Sequence, residues 1–244
     1  MEDRIIGRNP VMEAIRSDRE IDKILVKKGS IEGSLVPLVK KARAQGIIVQ
    51  EVEKQKLDQL AEGGNHQGVV ALAATHDYVT VEEMLKRAKQ PPFLVICDKI
   101  TDPHNLGSII RTVNCVGADG VIIPKRNSVG LNSTVAKTSA GAIEYTPVAR
   151  VTNIAQTIDK LKDAGFWIAG ADMDGEMMYQ SNLTGAIALV IGSEGEGISR
   201  LVKEKCDFMV KIPMAGDINS LNASVAASVL MYEVRRQRDF ACKE

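Results

Sequence analysis

Beyond residue 92, hydrophobic residues recur as short, nearly continuous runs separated by amphipathic stretches. The runs predict strands at 93–97, 120–123, 167–171, 187–191 and 208–212. The amphipathic stretches predict helices at 106–116, 153–164, 198–205 and 220–238. Apolar strands that alternate with helices are typical of a mainly parallel sheet covered on both faces. We therefore predict an α/β domain over 93–244.

The first third of the chain alternates shorter elements. Helices are predicted at 10–16, 35–44 and 55–61, and strands at 22–26, 47–52 and 68–74. Asn9 is the expected cap of the first helix, with Pro10 at its favoured first position. Residues 1–76 are thus predicted to form a small α/β domain. A polar helix over 80–89 and the pair Pro91-Pro92 indicate a linker at 77–92.

The composition narrows the class of protein. The 244 residues are 45% hydrophobic and 25% charged, which is ordinary for a soluble globular protein. The formal net charge is +0, so the protein as a whole does not attract nucleic acid electrostatically. The longest apolar run, 186–191, is too short to span a membrane, and the N-terminus lacks the apolar stretch of a signal peptide. Four widely spaced cysteines and three scattered histidines form no metal pattern. We expect a cytoplasmic protein with mostly buried, unpaired thiols and no metal.

Ligands of parallel sheets bind beyond the carboxyl ends of the strands, so the loops after residues 97, 191 and 212 are the candidate site. In the first loop, Asn105 is the expected N-cap of the following helix. Arg111 lies off the buried stripe of that helix. Taken alone, this loop is also compatible with a cap and a solvated arginine.

The second loop contains Gly192, Gly195 and Gly197 directly after a buried strand, which indicates close backbone approach or unusual dihedral angles. The spacing is neither a dinucleotide fingerprint nor a phosphate-binding loop. Glu194 and Glu196 would also repel a phosphate. Nucleotide-dependent chemistry is therefore disfavoured, whereas a flexible turn remains the alternative.

The third loop leads into a helix of unusually small residues, with an apolar row at Ala223, Ala227, Leu230 and Val234. Small side chains on several faces indicate that other backbone lies close on several sides. A tightly packed terminal helix would have the same composition.

Together the three loops resemble a known family. The segments are Asn105-x-Gly-x-x-x-Arg111, Ile191-Gly-Ser-Glu-Gly-Glu-Gly, and Ile212-Pro-Met followed by Ser220-Leu-Asn-Ala-Ser-Val-Ala. They resemble the three motifs of the SpoU/TrmH family, RNA ribose 2′-O-methyltransferases of the SPOUT class. The resemblance covers about 93–238 and extends weakly to Gly7-Arg-Asn-Pro-Val and His66-Gln-Gly-Val-Val.

The resemblance implies a deep trefoil knot and S-adenosylmethionine as cofactor. The residues implied in cofactor binding are Gly192, Ile212, Met214, Ser220 and Leu221. In this interpretation Gly192 lacks a side chain so that the cofactor can approach. No metal is needed, since the cofactor is itself the electrophile.

The resemblance also assigns the catalytic residues. Arg111 matches the arginine that activates the ribose hydroxyl. A guanidinium is essentially always protonated, so stabilising a developing alkoxide or gripping a phosphate is easier for it than acting as a base. Asn105 and Glu194 are expected to position Arg111 or the substrate, and Asn222 to shape its loop.

The family further implies a homodimer and an RNA-holding N-terminal domain similar to small ribosomal proteins. Asn9, His66 and Gln67 are the expected RNA contacts. The domain order is similar to that of bacterial enzymes acting on a guanosine of 23S ribosomal RNA. Transfer RNA as substrate, a noncatalytic ribosome-assembly factor and a nucleotide-dependent enzyme remain the alternatives.

Overall fold

The chain divides into two compact units. The computed structural model describes residues 3–17, 19–218 and 220–241. The first unit comprises 1–77 with 130–134, and the second comprises 78–129 with 135–244.

The first unit is a four-stranded sheet with three helices. Its strands are β1 (Asp3–Ile6), β2 (Ile21–Lys27), β3 (Ile48–Val52) and β4 (Val69–Ala73), and its helices are α1 (Arg8–Arg16), α2 (Leu35–Ala44) and α3 (Lys54–Ala61). The sheet order is β1-β4-β2-β3, with β4 antiparallel to both of its neighbours and β2 parallel to β3. The six predicted elements are present, and β1, only four residues long, was not predicted.

The start of α1 differs from the prediction. The helix begins at Arg8, so Asn9 and Pro10 lie in its first turn and Asn9 is not the cap. Gly7 precedes the helix with a φ of 96°, and its carbonyl accepts a hydrogen bond from the Val11 N–H. Glycine adopts this left-handed geometry without the steric cost of a Cβ, which explains why the helix starts there.

From residue 81 onward the chain alternates strands and helices. The strands are β5 (Phe93–Cys97), β6 (Gly120–Pro124), β7 (Val148–Val151), β8 (Trp167–Met177), β9 (Ile187–Ile191) and β10 (Phe208–Lys211). The helices are α4 (Val81–Arg87), α5 (Pro103–Val116), α6 (Ser133–Thr138), α7 (Ile154–Asp163), α8 (Arg200–Lys205) and α9 (Ala223–Ala241), with a 3-10 turn at Ala142–Glu144.

The six strands form one parallel sheet in the order β10-β8-β9-β5-β6-β7. The α/β class and the parallel sheet are thereby confirmed, and the knot stays a prediction. Every residue of the central strands β5 and β9 is buried, as their apolar runs predicted. The short elements β7 and α6 were not predicted because four to six residues carry too little periodicity.

The segment expected as a linker, 77–92, is folded. It contains α4, whose N-terminus is closed by a reciprocal capping box between Thr80 and Glu83. Val81 and Met84 from this helix belong to the hydrophobic core of the second unit.

The long C-terminal helix α9 packs beside α5. Its predicted apolar row is confirmed, since Ala223, Ala227, Leu230 and Val234 are all buried. The hydroxyls of Thr112 on α5 and Ser228 on α9 lie 3.0 Å apart. Among the described residues, no helix has the length and apolar character needed to cross a membrane.

Candidate active site

Three loops meet at the carboxyl ends of β5, β9 and β10. The Asn105 amide donates to Glu194 Oε1 at 2.9 Å. The Asn222 amide donates to Asn105 Oδ1 at 2.9 Å and also to Glu194 Oε1. These three residues, which we call the polar cluster, join segments that are far apart in sequence. The structure therefore brings together three of the four residues expected to be catalytic.

Asn105 belongs to the polar cluster and does not cap α5. The helix begins at Pro103, and Asp102 is its cap, accepting a hydrogen bond from the His104 N–H at 2.8 Å. The prediction of Asn105 as the cap is wrong because the helix starts one turn earlier than its apolar stripe suggested. Asn105 is 7% exposed, so its amide needs partners inside the protein.

Asn222 is the residue that caps α9. Its side-chain oxygen accepts hydrogen bonds from the Ser224 N–H at 3.0 Å and the Ser224 hydroxyl at 2.7 Å. Glu194 Oε1 also accepts from the Ala223 N–H at 3.3 Å. A carboxylate at this position is favoured by the partial positive charge of a helix N-terminus. The cluster therefore fixes where α9 begins, at Ala223 rather than at the predicted residue 220.

Arg111 lies outside the polar cluster. It follows Asn105 by six residues on α5, which corresponds to about 9 Å along the axis and about 120° around it. Its side chain is exposed, and within the described residues its guanidinium has no hydrogen-bond or ion-pair partner. Asn105 and Glu194 therefore do not hold Arg111, and its charge is free to meet a ligand.

Two adjoining cavities lie beside the polar cluster, of about 400 Å³ and about 690 Å³. Ile212 and Met214 line the first, Gly192 lines the second, and Ser220 and Leu221 line both. The structure thus places all five residues expected to bind the cofactor around one cleft. Ala171, Met173 and Ala226 add apolar wall to both cavities.

Asp172 also lines both cavities, and the sequence did not single it out. Its carboxylate accepts hydrogen bonds from Lys203 Nζ at 2.6 Å and from the Asp174 N–H at 3.0 Å. Burial opposes the charge, but the bonds from Lys203 and Asp174 together keep the pKa of Asp172 below its ordinary value. The available signal was the Asp-Met-Asp run after the apolar part of β8, which continues beyond its predicted end.

Gly192 is required by its own loop. A Cβ added there would lie 2.1 Å from the carbonyl carbon of Gly197 and 2.3 Å from the Ile198 nitrogen. The loop folds back because Ser193 and Gly197 exchange two backbone hydrogen bonds, of 3.1 and 2.9 Å. We expected Gly192 to lack a side chain so that the cofactor can approach. The structure corrects this explanation, because backbone atoms of the same loop already fill the space that a side chain would take.

None of the described cysteines lines either cavity of this site. Burial, with the neighbouring Asp98 charge, raises the pKa of Cys97 to about 12. Cys206 is half-buried and Cys115 exposed, so the expectation of mostly buried thiols holds only for Cys97 among the described cysteines. Cys242 lies outside the described residues. The described residues contain no cluster of His, Cys, Asp and Glu that could hold a metal.

Comparison with known proteins identifies the family. The model of the SpoU rRNA Methylase family matches residues 92–232, more than half of the chain. The chain belongs to the SpoU methylase family. A second model, for RNA 2′-O ribose methyltransferase substrate binding, matches residues 4–79 of this SpoU methylase.

Individual relatives agree with this assignment. A Bacillus subtilis (strain 168) protein named as a TrmH family tRNA/rRNA methyltransferase, YacO, is 50% identical over 242 residues, covering 97% of this chain and 96% of its own. A Staphylococcus aureus (strain COL) protein named in the same way is 54% identical over 244 residues, covering 98% of both chains. The fold is similar to that of the SpoU methyltransferase AviRb from Streptomyces viridochromogenes, solved with AdoMet, with a TM-score of 0.64 and 24% identity over 98% of this chain and 91% of that one.

The substrate-binding region of this SpoU methylase contains the three residues expected to contact RNA. Asn9 is exposed on α1, and Gln67 is exposed with a left-handed φ of 50°. Arg8 holds Gln67, since its N–H donates to the Gln67 side-chain oxygen at 3.2 Å and its Nε donates to the Gln67 carbonyl at 2.9 Å. The two weakly matching segments, which begin at Gly7 and His66, are therefore neighbours in space.

His66 differs from the prediction. Its Nδ1 accepts from the Gly68 N–H at 2.9 Å, so Nε2 carries the proton and faces Asp58 Oδ1 at 3.0 Å. His66 as a whole residue is 9% exposed. Both ring nitrogens are occupied within the unit, and His66 orders the turn that presents Gln67 instead of offering a free nitrogen to RNA.

Proposed function

We propose that this protein transfers a methyl group from S-adenosylmethionine to a ribose 2′-hydroxyl in RNA. The observation that carries the proposal is the cleft at the carboxyl ends of β9 and β10, bordered by the polar cluster in a chain of the SpoU family. Its two cavities fall in the size range of small-molecule sites. AdoMet bound in AviRb, a protein of the same fold, supports the choice of cofactor.

The cleft residues fit S-adenosylmethionine. Backbone groups at Gly192, Ile212 and Leu221 would hold the adenine and ribose, and Met214 and Ser220 would complete the wall. When bound, the cofactor supplies an electrophilic methyl group. The apolar side chains Ala171, Met173 and Ala226 would pack against the bound cofactor.

Arg111 is the proposed catalytic residue. A ribose hydroxyl becomes a good nucleophile only as its proton leaves, and negative charge then develops on its oxygen. The Arg111 guanidinium, which has no partner among the described residues, stabilises that charge or holds the adjacent phosphate. The polar cluster contributes by fixing the loop and the helix end that shape the cleft, with Asn105, Glu194 and Asn222 joined to one another by hydrogen bonds.

Replacing Arg111 tests this assignment. We expect Arg111→Ala to lower methyl transfer about 100- to 1000-fold, the usual cost of losing one donor to a developing charge. The melting temperature and the affinity for S-adenosylmethionine should stay unchanged, because Arg111 has no partner within the described residues. The measurements are radiolabelled methyl transfer, thermal unfolding and calorimetry.

Arg87→Ala is the matched control, since Arg87 is an exposed arginine on α4 in the same unit. It should retain full turnover. Near-normal turnover of Arg111→Ala would contradict the assignment. A wild-type protein that binds RNA but transfers no methyl group would favour a noncatalytic assembly factor.

For the substrate, we propose a guanosine of 23S ribosomal RNA. The support is the substrate-binding region at 4–79, which precedes the methylase region. The relatives' names include both tRNA and rRNA, so transfer RNA is the second candidate. Mapping ribose methylation in both RNAs from a deletion strain decides between them, with Arg111→Ala as the complementation control. Loss of a methyl group from transfer RNA alone would contradict the ribosomal target.

We further propose that residues 1–76 hold RNA, that residues 93–244 carry out methyl transfer, and that the protein acts as a cytoplasmic homodimer. Asn9 and Gln67 are the proposed RNA contacts. The support is the family match together with the exposure of these two side chains. Light scattering that finds a monomer at working concentration would contradict the dimer.

A further inference from the structure

Asp98 is a buried carboxylate at the carboxyl end of β5 that the motifs do not include. It is 4% exposed. Its Oδ2 accepts a hydrogen bond from the Ser199 N–H at 2.7 Å, and its own N–H donates to the Ile191 carbonyl at 2.8 Å. Ile191 and Ser199 flank the loop 192–198, so Asp98 ties both ends of that loop to the end of β5.

Two further contacts join the same segments. Lys99 Nζ lies 3.1 Å from Glu196 Oε2, and the Asn105 amide donates to Glu194 at 2.9 Å. Lys99 has a φ of 60°, an unfavourable conformation for a residue with a Cβ. Such a conformation persists where the surroundings impose it, and Asp98 and Ile100 on either side are both buried. The sharp turn at Lys99 therefore brings Asp98 and Lys99 against different points of the loop.

We propose that Asp98 is a positioning residue for the cofactor cleft, because it holds the loop 192–198 in the conformation that forms the cleft wall. The inference rests on the proposed binding of S-adenosylmethionine. Gly192 and Glu194 on this loop line the larger cavity. Without the carboxylate, the Ser199 N–H loses a charge-assisted partner and the loop loses its anchor at the start of α8.

Two other aspartates also accept hydrogen bonds from backbone N–H groups, but at the amino ends of the strands. Asp119 accepts hydrogen bonds from the N–H groups of Lys89 and Phe93, and Asp207 accepts one from Ile168. Asp119 and Asp207 directly precede β6 and β10, at the amino ends of the strands. If these carboxylates only stabilise the fold, substitutions at all three positions should have the same effects on the melting temperature and on the affinity for the cofactor. Asp119 is thus a matched control for Asp98.

The experiment compares Asp98→Ala, Asp98→Asn and Asp119→Ala in the full-length protein by thermal unfolding and by calorimetry with S-adenosylmethionine. We expect Asp98→Ala to raise the Kd at least tenfold, and Asp119→Ala to lower the melting temperature while leaving the Kd within twofold. Asp98→Asn keeps a carbonyl acceptor without the charge. Its Kd should rise at least threefold and stay below that of Asp98→Ala.

A folded Asp98→Ala with a wild-type Kd would overturn the inference, and so would an equal loss of affinity in Asp119→Ala. If Asp98→Ala does not fold, Asp98→Asn decides: a wild-type Kd in that variant overturns the proposal, and a threefold or larger rise supports it. Absence of S-adenosylmethionine binding by the wild-type protein would instead refute the proposed function, which keeps the two failures distinct.

Discussion

At the scale of single residues, Glu194 connects the loops of the candidate site through a single carboxylate oxygen. One of its oxygens accepts from the amides of Asn105 and Asn222 and from the N–H of Ala223. The residue is exposed, yet its hydrogen bonds join three loops. Glu194 therefore holds the loops of the site together from an exposed position rather than from the hydrophobic core.

We predict that Glu194→Gln lowers kcat/KM about 10- to 100-fold. Hydrogen bonds to a charged group contribute about 1.5–3 kcal/mol, and each 1.4 kcal/mol corresponds to about tenfold in rate. Steady-state methyl-transfer kinetics measures the effect. Glu204→Gln, which changes an exposed glutamate paired with Arg200 on α8, is the control and should leave kcat/KM unchanged. Equal kinetics for both variants would contradict an organising role for Glu194.

At the scale of elements, glycines decide how closely backbone segments approach. Gly107 on α5 faces Val135 and Thr138, and a Cβ there would lie 2.7 Å from the Thr138 Cβ. Gly192 is more tightly enclosed, with backbone atoms of Gly197 and Ile198 nearest to it. These two motif glycines therefore allow neighbouring segments to pack closely. Gly195 differs, because the space around it is open and its φ of 83° is the feature that favours glycine there.

We predict that Gly192→Ala lowers the free energy of unfolding by about 1–3 kcal/mol, the usual cost of overpacking. Affinity for S-adenosylmethionine should fall with it, because the displaced loop is part of the cleft wall. Urea unfolding and calorimetry measure the two quantities. Gly185→Ala, with open space around the added Cβ, should change neither. Lost affinity at unchanged stability would restore the explanation that Gly192 admits the cofactor.

At the scale of the whole molecule, paired carboxylates make stability depend on acid pH. The hydrogen bond from Arg236, aided by one from Gln237 and opposed by burial, lowers the pKa of Glu233 below its ordinary 4.5. Asp172 is likewise lowered from its ordinary 3.8, where burial is outweighed by the bonds from Lys203 and Asp174. Both groups bind protons more weakly in the folded state than in the unfolded state.

The sign of the pH dependence follows from these two pKa shifts. The stabilisation from each carboxylate is fully present above its ordinary pKa and is lost as the pH falls through the lowered value. We predict that the stability difference between wild type and Glu233→Gln is largest above pH 4.5 and shrinks as the pH falls below it. Urea unfolding from pH 7 to pH 3 measures it. A difference that grows on acidification would contradict the assignment.

Much of the fold follows from local pattern. The buried runs of β5 and β9 predicted strands because burial on both faces leaves a direct mark on the sequence. The starts of α5 and α9 were less well predicted, because Asp102 and Asn222 cap the N-termini of these helices through side-chain hydrogen bonds that periodicity does not report. The motif residues were found through the resemblance, since isolated polar residues in loops have several possible roles.

The sequence by itself determined the parallel α/β class, the three loops of the candidate site and the family resemblance that assigns roles to their residues. Only the tertiary structure decided that β5 lies beside β9, which places Asp98 against Ser199 and Asn105 against Glu194. It also decided that His66 is occupied within its unit and that Gly192 is enclosed by its own loop. The reason is physical: hydrophobic periodicity records whether a residue is buried, whereas the partner of a buried polar group depends on contacts between segments distant in sequence.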